Sequence, residues 1–187
     1  IEAQISAVSD DIAYNNHDIL DGLKAKLFDI DDLLELKLFQ EINKFYKAKK
    51  NVKNKNILIY QLIRDSIDLM VKDIINNTIE NIKLYKIKSK KDVYLCGKSL
   101  VCFSNKFSIN DNEIKLFLKT KMYNNKKVLT KNNQGKRIIT SLFKYFKKNP
   151  RKFIDKKELN TNKYRAISDY ISGMTDRFAI NLYNKLK

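Results

Sequence analysis

The chain is poor in the residues that interrupt regular structure or build metal sites: four glycines, one proline, two cysteines, a single histidine and no tryptophan in 187 residues. Each shortage excludes something. One histidine, His17, cannot by itself furnish an imidazole-rich metal centre. Cys96 and Cys102 have no ligand-like spacing with it, and they read as small apolar side chains of a protein kept in a reducing cytoplasm. No run approaches 18 uncharged apolar residues and no stretch resembles a signal peptide, so the expectation is a soluble, cytoplasmic protein with no membrane partner. Acidic residues are also few, 21 against 38 basic ones, for a formal charge of +17. An excess of this size suggests an anionic partner such as nucleic acid, nucleotide or membrane surface. Lysine is, however, distributed throughout beside abundant Asn and Ile and scarce Gly, Pro and Ala, a usage similar to that of AT-rich genomes. Both readings of the surplus stand: a compositional drift, or a basic face that attracts polyphosphate or single-stranded nucleic acid.

What is present argues for one helical domain. Hydrophobic residues make up 43% and aromatics 11%, enough for a core. Apolar side chains recur at three- and four-residue steps over about 2–17 and on to Phe28, over Leu33 to about Lys49 (Leu34, Leu38, Phe39, Ile42, Phe45, Tyr46), and over Ile57 to about Ile87 (Leu62, Ile63, Met70, Ile74, Ile75, Ile82 inward). Asp29-Ile30-Asp31-Asp32 breaks the first run, with Asp31 or Asp32 capping the next. Lys47–Lys55 reads as a solvated connector. Further helices are expected over 111–123, over 136–146 after an opening at Asn132–Gly135, and over about 162–186, with Asn149-Pro150 as a stop. Tyr94–Gly97 and Leu100–Ser104 read as short extended segments, one small β-hairpin near 93–104 being an option. The fold class is all-α, a bundle of about six segments. Ile1 is not methionine and the first residues already read as helix interior, so the chain is expected to continue something longer.

The most informative stretch is Ser9-Asp10-Asp11-Ile12-Ala13-Tyr14-Asn15-Asn16-His17-Asp18. At 3.6 residues per turn, Asp10, Tyr14 and Asp18 form one polar stripe, with Ile5, Val8, Ile12 and Ile19 mostly off it. Burying two carboxylates and a phenol without partners would cost several kcal/mol, so the stripe faces solvent or a site supplying a cation or ligand. His17, beside Asp18, reads first as a structural hydrogen-bonding residue.

This stretch resembles the segment bearing the last metal-binding aspartate of the dGTPase-like triphosphohydrolases, within the HD phosphohydrolase superfamily. Two further matches carry the resemblance along the chain. Phe103-Ser104 and Ile114–Tyr123 are similar to that family's Phe-Ser and Leu-Lys-x-Phe-Leu-x-x-x-Met-Tyr pattern, and Ile167–Ala179 to its Asp-Tyr-Ile-x-Gly-Met-Thr-Asp-Arg-Tyr-Ala signature, with Phe178 in place of the tyrosine. The resemblance implies an enzyme hydrolysing a deoxynucleoside triphosphate (dGTP) to deoxynucleoside and triphosphate with a divalent metal such as Mg or Mn. It implies Asp10 as a metal ligand, Tyr14 and Asp18 against the substrate sugar, and Arg64 toward phosphate. Asp11 then reads as a cap partner or supporting acid. Asp169, Tyr170, Asp176 and Arg177 read either as substrate contacts or as a buried polar network around Gly173, a glycine allowing close helix packing. Residues 1–30 would end the HD domain and 31–187 form the helical C-terminal region. The family's remaining ligands, a histidine and a His-Asp pair, are not among these residues, so the chain alone should be inactive and its partners should include an upstream HD-domain half and further copies of itself. The alternative is a non-catalytic remnant or oligomerisation module binding nucleotide or single-stranded nucleic acid.

Overall fold

A computed structural model describes residues 1–48 and 54–186. Among the described residues every regular element is helical and the all-α class holds. The elements are α1 (Glu2–Lys24), α2 (Ile30–Leu33), α3 (Lys37–Ala48), α4 (Lys55–Leu84), α5 (Lys90–Leu95), α6 (Asn105–Phe117) continuing into a π-helical segment (Leu118–Tyr123), α7 (Lys126–Lys148), a 3-10 turn (Pro150–Lys152), α8 (Lys156–Ser172) and α9 (Asp176–Lys185). The bulk of the expected connector at Lys47–Lys55 lies outside the described residues. No described helix is long and apolar enough to cross a membrane. The chain divides into two compact units, Ile1–Asn125 and Lys126–Lys187.

In the first unit α1 packs chiefly on α4, and α3 on α4. Ile12, Ile19, Phe39, Leu62, Met70, Ile114 and Leu118 are buried in its core. Ile75, read as inward, is exposed, because at 100° per residue it falls well outside the arc of Leu62, Ile63, Met70 and Ile74; Phe45 is exposed too. α1 ends with Lys26 at φ 54°, its N–H bonded to Leu23 O and the Leu27 N–H to Gly22 O, a Schellman closure that turns the chain back. Phe28 then lies over Gly22: a Cβ there would stand 2.3 Å from the Phe28 ring, which itself packs edge-on against Phe117 at 4.8 Å. The cap of α2 is Asp29 rather than Asp31 or Asp32. Its carboxylate accepts from the Asp31 and Asp32 N–H groups, while Asp32 accepts from the Asp29 N–H, so the first acid of the cluster is the one outside the helix.

The hairpin option near 93–104 is overturned. Ser89 and Asp92 form a capping box that starts α5, and the chain from Cys96 to Ser104 satisfies its backbone on side chains instead of on a second strand. Gln4 Oε1 accepts from the Leu100 and Val101 N–H groups (3.0 and 3.1 Å), Asn81 and Asn77 amides donate to the Leu100 and Cys102 carbonyls (3.0 and 2.8 Å), and Asp73 accepts from the Ser104 N–H (2.8 Å). With those groups paired, no ladder is needed.

In the second unit Ile138, Leu142 and Phe146 of α7 pack with Ile154, Ala166, Ile167, Ile171 and Ala179. Aromatic edges fill the rest: Phe146 meets Phe153 at 4.9 Å and Tyr170 at 5.3 Å. α7 begins ten residues before the expected helix, with Gly135 in its interior, and Asn149-Pro150 ends it as expected. The expected single helix over 162–186 is two. Gly173 closes α8, and Thr175 caps α9 by accepting from the Phe178 N–H, its extended backbone preventing helical continuation. A Cβ on Gly173 would meet only carbonyl oxygens at 3.6 and 3.7 Å, ordinary contact, so close packing is not what requires a glycine there.

Candidate functional site

The polar sector of α1 divides into an open half and a bonded half. Asp10 and Tyr14, one turn apart, are exposed, Tyr14 by 70%, and neither has a hydrogen bond or ion pair among the described residues. Asp18 ends the stripe differently: it is half-buried and accepts a hydrogen bond from the Tyr123 hydroxyl at the close of the π-helical segment. Burial, then the hydrogen bond to the Asp18 carboxylate, pushes the Tyr123 phenol up to about 12. Its proton therefore stays between the two oxygens at neutral pH. His17 is exposed and has no hydrogen-bond partner among the described residues.

Beside this open stripe runs a seam between α1 and α6. Asp11 is not a cap; it lies mid-helix, 3.1 Å from Lys115 Nζ, and Lys115 is 2.8 Å from the buried Asp111. Asn15, also buried, donates to Asp111 Oδ1 at 3.1 Å. Burial alone would lower the Lys115 ammonium, but Asp111 and Asp11 outweigh it and hold its pKa above the ordinary lysine value. Lys121, in the π-helical segment, pairs with Asp32 at 2.6 Å and keeps that carboxyl below its usual range. The bonds among Asp11, Asn15, Asp111 and Lys115 fix α1 against α6 and with it the face on which Asp10 and Tyr14 lie, while Lys121–Asp32 ties the π-helical segment to α2. Sequence reading missed the seam, although the i,i+4 pairs Asp11/Asn15 and Asp111/Lys115 are its visible trace.

Arg64 belongs to a different cluster. Its Nε lies 3.4 Å from Asp65, which accepts from the Tyr46 hydroxyl, and it makes no hydrogen bond or ion pair to α1 among the described residues. Among these residues no three His, Cys, Asp or Glu side chains converge on a point, so Asp10 offers one oxygen ligand and the described residues do not enclose an ion.

In the second unit the signature residues are not a buried network. Asp169, Asp176 and Arg177 are exposed, because the break at Thr175 puts them on the outer sides of two helices; Asp169 pairs with Arg165, four residues earlier at 2.9 Å, and not with Arg177. Tyr170 is half-buried against Phe146. Asp169, Tyr170, Met174 and Phe178 line a concavity of about 920 Å³ beside Asn162, whose extended backbone kinks α8.

Over 97% of its length the chain is 58% identical to a deoxyguanosinetriphosphate triphosphohydrolase-like protein of Pelagibacter ubique. Along nearly its whole length the chain is homologous to the dGTPase-like proteins. It is also 36% identical over its full length to the protein of that name in Leptospira interrogans, and 34% to that of Bartonella henselae. A phosphohydrolase-associated domain matches residues 101–185, from the loop before α6 to the end of α9. The chain spans about half the length of these relatives, 49%, 50% and 48% respectively.

Proposed function

We propose that this dGTPase-like chain supplies one wall of a deoxynucleoside triphosphate triphosphohydrolase site, completed by the part of its relatives' length that it does not cover. The observation that carries the reading is the division within one helix. The neighbouring polar residues Asp11, Asn15 and Asp18 are bonded inside the unit, while Asp10 and Tyr14 have no hydrogen bond or ion pair among the described residues and are exposed on a braced helix. In this reading Asp10 is a carboxylate ligand of a divalent metal, Tyr14 lies against the sugar edge, and Asp18, held by Tyr123, accepts from a sugar hydroxyl. The metal, when bound, supplies a polarised phosphoryl group and a water of lowered pKa. Arg64 is the cation assigned to phosphate. A histidine and a His-Asp pair come from the other portion.

The test joins the chain to the uncovered portion of the Pelagibacter ubique relative and follows release of deoxynucleoside and inorganic triphosphate from each deoxynucleoside triphosphate with Mn or Mg. Release by the joined protein is expected, with Asp10→Ala lowering it at least about a thousandfold and weakening Mn binding, as loss of a ligand should. A folded joined protein that retains the histidine ligands yet releases no triphosphate from any of the four overturns the reading.

A further inference from the structure

α1 holds one side chain that the role proposed for the helix leaves unused. His17, the single histidine of the chain, is exposed and has no hydrogen bond or ion pair among the described residues. Its neighbours face the other way. Ile12, Asn15, Asn16 and Ile19 are buried, and the Asn16 amide donates to the Ile12 carbonyl at 2.8 Å and lies 3.7 Å from Met70 Sδ on α4. At 100° per residue His17 stands about 150° from the middle of that buried set. The rotation of α1 at this level is therefore fixed from inside, with His17 on the outer face.

That face also bears Asp10 and Tyr14. With Asp10 taken as the origin, Tyr14 lies about 40° and Asp18 about 80° to one side of the helix, while His17 lies about 20° to the other. Along the axis Tyr14 is about 6 Å, His17 about 10.5 Å and Asp18 about 12 Å beyond Asp10. His17 and Asp18 thus stand at nearly one height, on opposite flanks of Tyr14. Because Cα–Cβ bonds tilt toward the helix N-terminus, the Cβ of His17 is directed back toward the turn that contains Ala13. Ala13 lies on the same flank, about 60° from Asp10, and a methyl group is its whole side chain, so the flank between Asp10 and His17 is shallow.

A nucleotide laid along this stripe with its α-phosphate at Asp10 and its sugar over Tyr14 has a definite sense. Its triphosphate extends from Asp10 away from His17, which leaves the imidazole on the nucleoside side. The 3′-hydroxyl and the base leave a deoxyribose ring from opposite sides of C2′. A hydroxyl turned to Asp18 therefore sends the base to the other flank, where α1 carries Ser6, Ser9, Ala13, His17 and Leu20. Ser6 and Ser9 precede Asp10, on the triphosphate side, and Leu20 is half-buried, so His17 is the residue of α1 that faces the base. A neutral imidazole offers one N–H donor and one acceptor in the plane of its ring, and its face can stack on a base.

We propose, on the orientation that the proposed function gives the substrate, that His17 contacts the nucleobase of the bound deoxynucleoside triphosphate and that Ala13 leaves the space the base enters. This flank of α1 then sets the preference among the four bases.

The chain joined to the uncovered portion of the Pelagibacter ubique relative tests it, ligated so that this chain alone carries isotope-labelled histidine. His17 is then the single labelled imidazole. Its Cε1–H resonance is followed by NMR during titration with analogues of the four deoxynucleoside triphosphates whose 5′ oxygen is replaced by methylene, which cannot be cleaved to deoxynucleoside. A shift that differs among the bases and is absent with inorganic tripolyphosphate is expected. In turnover, His17→Ala should shrink the spread of kcat/KM among the four substrates at least about tenfold, through KM rather than kcat, with Mn affinity retained. Ala13→Leu, which fills the shallow flank, should lower kcat/KM more for the purine substrates than for the pyrimidines. A spread unaltered by both substitutions, in a protein whose triphosphate release still depends on Asp10, overturns the base contact and leaves the role of Asp10 standing. A resonance moved equally by tripolyphosphate and by all four analogues, or a loss of kcat shared by all four substrates, assigns His17 to the phosphates and overturns the base contact as well. A joined protein that releases no triphosphate refutes the role of Asp10, and a resonance that none of the four analogues moves then refutes that of His17 separately.

Discussion

The two units hold their helices together by different means. In residues 1–125 ion pairs join separate helices: α3 to α6 through Lys37–Glu113 and Lys106–Glu41, α1 to α6 through Asp11–Lys115, and the π-helical segment to α2 through Lys121–Asp32. In residues 126–186 the ion pair Arg165–Asp169 lies within α8, and rings do the joining: Phe146, Phe153, Tyr145 and Tyr170 meet edge to face. Directional polar bonds fix the azimuth of a helix about its own axis, which an outward-pointing pair such as Asp10 and Tyr14 requires. Ring packing consumes no charge, and Lys136, Arg137, Lys144, Lys147 and Lys148 of α7 are exposed. The difference teaches that one unit is built to aim side chains and the other to display a field.

The largest blow to this contrast is Phe146→Ala. The ring is fully buried and touches three others, and its removal should cost about 3–5 kcal/mol. In a unit of 62 residues that loss is close to the whole stability. Amide exchange should show protection lost across α7–α9 while Leu62 and Met70 keep theirs; loss in both units together would mean that the contrast has no energetic counterpart.

Next comes a pair of glycines. Gly22→Ala must displace the buried Phe28 ring and its contact with Phe117, an overpacking expected to cost about 1–3 kcal/mol, whereas Gly173→Ala should change stability by less than about 0.5 kcal/mol. Urea midpoints of the two variants measure this directly, and equal effects would refute the different packing of the two positions.

The smallest effect is the most specific to aiming. Tyr123→Phe removes a hydrogen bond from a residue that is 43% exposed, worth about 0.5–1 kcal/mol at neutral pH once solvent screening is counted. The sign of its pH dependence follows from the raised phenol. Below pH 10 the stabilising proton is on in both folded and unfolded chains; between 10 and about 12 only the unfolded chain ionises, so the contribution fades across that window. Urea melts should show this alkaline decline in the parent protein and a flatter profile in the phenylalanine variant.

Much of this was legible in the sequence because burial leaves a 3.6-residue trace. The helices around Leu62, Ile114 and Leu142 announce themselves by apolar spacing, and the Asp10–Tyr14–Asp18 stripe by polar spacing. The start of α7 left no trace, since most side chains from Lys126 to Arg137 are exposed and nothing in a solvated turn demands periodicity. The break at Thr175 was hidden for the opposite reason: apolar residues resume in phase on both sides, and only the Thr-x-x spacing to the Phe178 N–H betrays a cap. The missing hairpin and the partner of Asp18 share one cause. Gln4 reaches Leu100 across 96 positions and Tyr123 reaches Asp18 across 105, and local pattern carries no record of such distant pairings.

The widened turn at Leu118–Tyr123 has a consequence of another kind, for which changes this protein's lineage can absorb. A π-helical turn is topologically an α-helix with one residue inserted, held in place here because Leu118 must stay in the core while Lys121 and Tyr123 reach Asp32 and Asp18. Deleting a single residue from that turn would let it relax to ordinary winding with the residues beyond it facing as before, whereas a deletion earlier in α6 would swing Lys121 and Tyr123 by about 100° away from Asp32 and Asp18. Length is therefore negotiable by one residue within Leu118–Tyr123 and not in the ordinary winding before it: single-residue deletions should be absorbed in the widened turn and purged between Asn105 and Phe117.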